Sequence, residues 1–134
     1  MGGLEFLEKV DIFKGFSQDQ LKTASKVGQE KEYQYGDKLF AEGEDADRIW
    51  LVTDGEVDLR FDLPGRSTSE QNTIFTISAE QTLGWSSFVP PFKYALSAYS
   101  ATKVCKIVQI NKEHLLDCFE KDPRMGLKFM TNVA

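Results

Sequence analysis

A single histidine and two cysteines are all the soft metal-ligating chemistry in this sequence. A metal or catalytic site built on imidazole needs several converging ligands, so His114, read in the first turn of a helix, is a helix-surface residue. Cys105 falls in an apolar strand and Cys118 in a helix beside Phe119, where thiols are buried and inert. Two cysteines are too few for a disulfide framework, which points to the cytoplasm with both thiols reduced. Nothing approaches a membrane-spanning run, and residues Met1 to Glu5 have neither the basic nor the apolar part of a signal peptide. With a net charge of -5 and no basic run, the chain lacks the clustered cations that grip nucleic-acid phosphates. The acidic group Glu42, Glu44, Asp45 and Asp47 lacks the ligand spacing of a calcium loop and reads as a solvated turn. With no nucleophile, base or paired-acid set in view, the sequence reads as a non-enzyme without metal, nucleic acid or membrane contacts.

Apolar residues are present in ordinary amount: 41% of the 134 residues are hydrophobic and 12% aromatic. That is enough for one buried core, and the absence of repeats and linkers predicts a single domain over 1–134. Leu4, Leu7 and Val10 recur at helical spacing. Ser17 and Gln20 have the spacing of a capping box, Phe16 and Leu21 that of a hydrophobic staple, and Gly28 is read as the helix stop. From Gln29 the period changes to two. Strands are predicted over Glu32–Tyr35, Lys38–Ala41, Arg48–Val52, Glu56–Phe61, Thr73–Ile77, Ala95–Ser100 and Val104–Ile110, with turns at Gly36, Gly43, Gly55 and Gly65. Asp62 to Asn72 reads as a long mobile hairpin loop. The tail returns to helix: Asn111 caps a segment with Leu115, Leu116 and Phe119, and Asp122-Pro123 opens another with Leu127 and Met130. The expected class is mainly β with flanking helices, a sandwich or barrel, divided as helices 4–28, β-roll 29–110 and C-terminal helices 111–134.

The segment from Tyr35 to Leu59 is more specific. It reads strand, tight turn, strand, tight turn, strand, with Gly36, Gly43 and Gly55 at corners that need positive φ, and with Leu39, Ile49, Leu51, Val57 and Leu59 inward. This cadence, ending in the Gly-x-Val-x-Leu of Gly55, Val57 and Leu59, resembles the cyclic nucleotide-binding domain family. The resemblance covers nearly the whole chain: leading helices, β-roll, an interruption at Gly84, two closing strands and two helices. It implies a double-stranded β-helix (jelly roll) of the Crp/Fnr type, acting as a regulatory or sensory domain whose small-molecule ligand moves the C-terminal helices.

In that family the ligand lies in a phosphate-binding cassette between the sixth and seventh strands. A Gly-Glu opening holds the ribose hydroxyl and a closing Arg pairs with the cyclic phosphate. The matching stretch here is Gly84-Trp85-Ser86-Ser87 through Lys93-Tyr94-Ala95. Gly84 matches, but Trp85 stands at the Glu position and Tyr94 at the Arg position. Losing two charge-assisted hydrogen bonds costs roughly 3–6 kcal/mol, or about two to four orders of magnitude in affinity. The cassette therefore reads as degenerate and not as a standard cyclic AMP or cyclic GMP site. Lys93 is one residue from the Arg position, but strand neighbours point to opposite faces, so Lys93 and Tyr94 cannot both face inward without a slip. Two readings stay open: Trp85 and Tyr94 fill the old pocket as core, or with Phe88, Phe92 and Lys93 they line a modified pocket for another planar or anionic ligand. Pro90-Pro91 is expected to stiffen the loop in an extended form. No cofactor is implied beyond such a ligand. The partners implied are a small molecule, and a second copy or an attached effector domain meeting the C-terminal helices; as an alternative, the roll serves as a ligand-independent interaction or dimerisation module. Family members often carry a DNA-binding helix-turn-helix, for which this sequence, ending at Ala134, leaves no room.

Overall fold

A computed structural model describes residues 7–61, 73–88 and 90–133, for Trp85 and Val133 the backbone alone. The predicted loop Asp62–Asn72 and the helical positions before Leu7 lie outside the described residues. A helical turn over 7–9 and a 3-10 turn, Asp11–Phe13, lead into α1, Gln18–Lys26. Its capping box is present: the Gln20 amide donates to Ser17 Oγ at 3.2 Å and the Ser17 amide to Gln20 Oε1 at 2.9 Å. Leu21 and Ala24 form its buried stripe. The helix end differs from expectation. Val27 caps it in the right-handed region, and Gly28 is instead the first residue of a strand. Glycine is needed there for space, because a Cβ would come within 2.9 Å of Val108 Cγ1.

Among the described residues eight strands follow: β1 (Gly28–Gln34), β2 (Lys38–Phe40), β3 (Arg48–Asp54), β4 (Val57–Arg60), β5 (Thr73–Ile77), β6 (Thr82–Leu83), β7 (Ser97–Ser100) and β8 (Val104–Asn111). They form two four-stranded antiparallel sheets, ordered β1-β8-β3-β6 and β2-β7-β4-β5, the roll that the family resemblance implies. Gly36, Gly43 and Gly55 take φ of 85°, 87° and 89°, as their corners require. At Gly55 space adds to conformation, since a Cβ would lie 2.5 Å from Thr102 Oγ1. Sequence periodicity did not reveal β6, because two residues are too short to show a period.

The β1-β8-β3-β6 sheet leaves β1 largely exposed but buries strands β3 and β8 on both faces. On its helix side, Ile49 and Leu51 of β3 and Val108 and Ile110 of β8 pack with Phe13, Leu21, Leu115, Met125 and Phe129. On its roll side, Trp50 and Val52 of β3 and Cys105 and Ile107 of β8 meet Phe40, Val57, Tyr94 and Ala98. Two helices close the chain, α2 (Lys112–Lys121), capped by Asn111 Oδ1, and α3 (Pro123–Val133). Helix α3 is tied to the N-terminal turns by the Asn132 side-chain amide, which donates to the carbonyls of Ile12 at 2.9 Å and Lys14 at 3.0 Å. Gln20 also donates to Asp122 at 3.0 Å and accepts from Lys128 at 2.8 Å, so the α1 cap is bonded to the α2–α3 junction.

Candidate functional site

The segment between β6 and β7 begins at Gly84, whose φ of 86° and close neighbours exclude a side chain: a Cβ would lie 2.8 Å from the Arg48 carbonyl oxygen. A 3-10 turn, Trp85–Phe88, follows. Ser87 is fully buried, and both its amide and its hydroxyl are bonded to the Gly84 carbonyl, at 3.0 and 2.8 Å. Ser87 thus fixes the turn and has no hydroxyl proton left for a ligand, while Ser86 is half-buried beside a cavity. The loop beyond is a turn, in contrast to the extended form expected: the Pro90-Pro91 peptide is cis and Phe92 takes φ 61°.

From Phe92 onward the segment pairs with the β2–β3 turn. The Gly43 amide donates to the Tyr94 carbonyl at 2.8 Å, the Tyr94 amide to Glu44 at 3.0 Å, and the Ala46 amide to Phe92 at 2.8 Å. Strand-like alternation then sends adjacent side chains to opposite sides. Lys93 points outward, exposed, with Nζ 2.6 Å from Asp45 Oδ1. Tyr94 points inward and is 5% exposed. Its ring stacks on Phe40 at 3.8 Å and 15°, and its hydroxyl accepts a 3.1 Å hydrogen bond from Trp50 Nε1. Burial pushes the Tyr94 hydroxyl pKa up, so it stays neutral. Arg48, whose Nε and Nη2 pair with Asp47 at 2.9 and 3.2 Å and whose Nη1 donates to Gln109 at 3.0 Å, is already committed. The guanidinium hydrogen bond holds the Asp47 carboxyl below its usual range.

Tyr94 does not fill the roll. Beside it lies an open cavity of about 230 Å³, lined by Phe40, Leu59, Phe75, Ile77, Leu83 and Leu96 with Thr82, Gly84, Ser86, Tyr94 and Ala95. The sheet register explains its floor: Phe40 pairs with Ala98, Ala98 with Leu59 and Leu59 with Phe75, so one row crosses four strands on one face. No ionisable side chain other than the phenol of Tyr94 is among the described residues of the lining. On the far side of Tyr94 a second hollow of about 240 Å³ carries Glu44, Asp45 and Asp47 against Arg48, a balance unfavourable to an anion. Sequence reasoning placed Gly84, Ser86, Tyr94 and Ala95 here but missed Phe40, Trp50 and Phe75. The available signal was the unbroken apolar run Ile49-Trp50-Leu51-Val52, which marks a strand buried on both faces.

The cassette also touches the helices. Phe88 packs on Phe129 of α3 with ring centroids 4.8 Å apart, and Phe129 on Phe119 of α2 at 5.1 Å. Lys112 Nζ lies over the Phe92 ring at 4.1 Å.

The sequence profile of the cyclic nucleotide-binding domain matches residues 30–122. No curated protein matches the chain by sequence. Among solved structures, a protein from Geobacter metallireducens GS-15 described as cyclic nucleotide-binding is similar with a TM-score of 0.81 and 28% identity, over 99% of this chain and 93% of that one. The N-terminal domain of a transcriptional regulator from Streptomyces coelicolor A3(2) is similar with a TM-score of 0.80 and 21% identity, over 96% and 89%. The regulatory domain of Toxoplasma gondii PKA, solved with cAMP, is similar with a TM-score of 0.73 and 17% identity, over 85% of this chain and 42% of that one. The last two likenesses speak for the fold alone, and the profile match carries the assignment: this chain belongs to the cyclic nucleotide-binding domain family.

Proposed function

We propose that this chain is a regulatory, non-enzymatic domain that senses a small molecule in its roll and passes the signal to its C-terminal helices, without ordinary binding of cyclic AMP or cyclic GMP. The observation that carries this reading is Tyr94. At the position of the family's phosphate-binding arginine stands a buried ring, stacked on Phe40 and bonded to Trp50, while Lys93 faces solvent on Asp45. A cyclic phosphate entering the cavity would be desolvated with no described cation to meet it. Gly84, Ser86, Tyr94 and Ala95 border the cavity and meet the ligand in this reading; Ser87 and Lys93 hold the cassette in shape, and Trp85 keeps its place by sequence position. Movement of the 3-10 turn passes through Phe88 to Phe129, and so to α3, whose Asn132 latch on Ile12 and Lys14 sets its rest position. Two free, buried thiols, Cys105 and Cys118, fit a cytoplasmic address.

Calorimetric titration with cyclic AMP and cyclic GMP, together with a thermal-shift measurement, tests the reading. The expected result is no saturable heat at micromolar concentration and no rise in melting temperature; tight saturable binding of either nucleotide overturns it.

Leu116, Leu127 and Met130, exposed on α2 and α3, favour a second reading in which these helices meet a second copy or an effector domain without any ligand. Sedimentation at several concentrations discriminates, since a strict monomer counts against self-association.

A further inference from the structure

Resting on the reading that the cavity is no cyclic nucleotide site, we infer that it takes a small, uncharged, planar apolar molecule, about the size of two fused aromatic rings. Phe75 provides the first reason. Register with Leu59 puts it on the face that forms the cavity floor, yet it is 58% exposed, and Leu59, Ile77 and Leu96 are only half-buried. Inner-face apolar side chains left uncovered in a roll form a surface that an apolar occupant completes.

The polar groups point the same way. The Thr82 hydroxyl donates to Asp11 Oδ1 at 3.3 Å and the Tyr94 hydroxyl accepts from Trp50 Nε1, so among the described lining side chains only the Tyr94 and Ser86 hydroxyls have a proton with no described acceptor. A charged ligand would lose its hydration here and find no counter-charge among the described lining residues, whereas an uncharged ring system with one or two polar atoms matches that lining. Size narrows the class. An apolar cavity of about 150 Å³ holds benzene, and this one, at about 230 Å³, is half as large again. It falls below the roughly 300 Å³ at which sites for drug-sized ligands begin. The half-open form adds a mouth beside Phe75 and Ala95, both exposed, through which such a molecule would enter.

The experiment uses three molecules that separate the contributions: 2-naphthol, 2-naphthyl phosphate, which has the same rings with an anion added, and cyclic AMP. Each is titrated into the methyl-labelled chain while the Leu and Ile resonances are followed. The expected result is a saturable shift of Leu59, Ile77, Leu83 and Leu96 with 2-naphthol, and at least tenfold weaker binding of the phosphate ester. Phe75→Ala, at an exposed position, lowers 2-naphthol affinity at least fivefold with the unfolding midpoint unchanged, while Leu127→Ala on α3 leaves the affinity as it was. Equal or tighter binding of 2-naphthyl phosphate overturns the inference, as does an equal loss in Leu127→Ala, which marks non-specific adsorption. Failure of all three to bind ends the inference but leaves the reading of the degenerate cassette standing; tight binding of cyclic AMP ends both.

Discussion

Replacing Tyr94 by phenylalanine removes one oxygen and leaves the stack on Phe40 intact, so it isolates the hydrogen bond that fixes the ring inside the roll. Trp50 Nε1 donates to that oxygen at 3.1 Å, and the two residues are 4% and 5% exposed. Without its acceptor the indole N–H is buried and unpaired, which costs about 1–3 kcal/mol. Unfolding entropy of roughly 2 cal/mol/K per residue, over 134 residues, makes each kcal/mol worth about 4 °C in melting temperature, so a fall of about 4–10 °C is expected. Urea denaturation and calorimetry of four proteins give the answer: wild type, Tyr94→Phe, Trp50→Phe and the double variant. Trp50→Phe is costly by itself through lost packing. In its background, however, Tyr94→Phe is close to neutral, because no donor remains to be orphaned. The coupling between the two sites is therefore about 1 kcal/mol or more. If Tyr94→Phe costs the same in both backgrounds, the bond carries nothing and Tyr94 is held by stacking alone.

Two corner glycines separate conformational strain from collision. Gly36→Ala meets nothing within 4 Å and should cost about 1–2 kcal/mol for its φ of 85° alone. Gly55→Ala, at the same kind of φ but 2.5 Å from Thr102 Oγ1 and 2.7 Å from the Val104 carbonyl oxygen, should cost at least about 1–3 kcal/mol more by urea denaturation. Burial pushes the Cys105 thiol from its ordinary value of 9.0 up to about 11. The folded state therefore favours the protonated form; this contribution is whole below pH 9 and is lost as pH rises toward 11. Between pH 7 and pH 10 wild type should lose about 1 kcal/mol more than Cys105→Ala, and parallel pH profiles would contradict the assignment.

The fold was legible where its signals are local. Ser17 and Gln20 three residues apart, Asn111 before an apolar helix, and glycines at tight corners each follow from the backbone groups they satisfy. Strand geometry alone requires Lys93 and Tyr94 to point opposite ways, but which of them faces inward depends on pairing with Glu44 and Ala46, some fifty residues earlier. The same is true of the cavity. Phe40, Leu59 and Phe75 share a row only because β7 lies between β2 and β4, and no local pattern encodes that neighbour relation. Gly28 follows an apolar helix pattern and so signals a helix stop locally; its close approach to Val108 is again a long-range fact.

Strand β3 serves as a shared wall, with Ile49 and Leu51 against the helices and Trp50 and Val52 against the roll. Melting either compartment alone would strip one side of that wall and expose its apolar side chains to water while the other stayed packed. Neither half can therefore loosen cheaply by itself, and the molecule should lose its structure in one step. The same rigidity means that a disturbance at the indole of Trp50 arrives at the helix-facing side with little of it absorbed on the way.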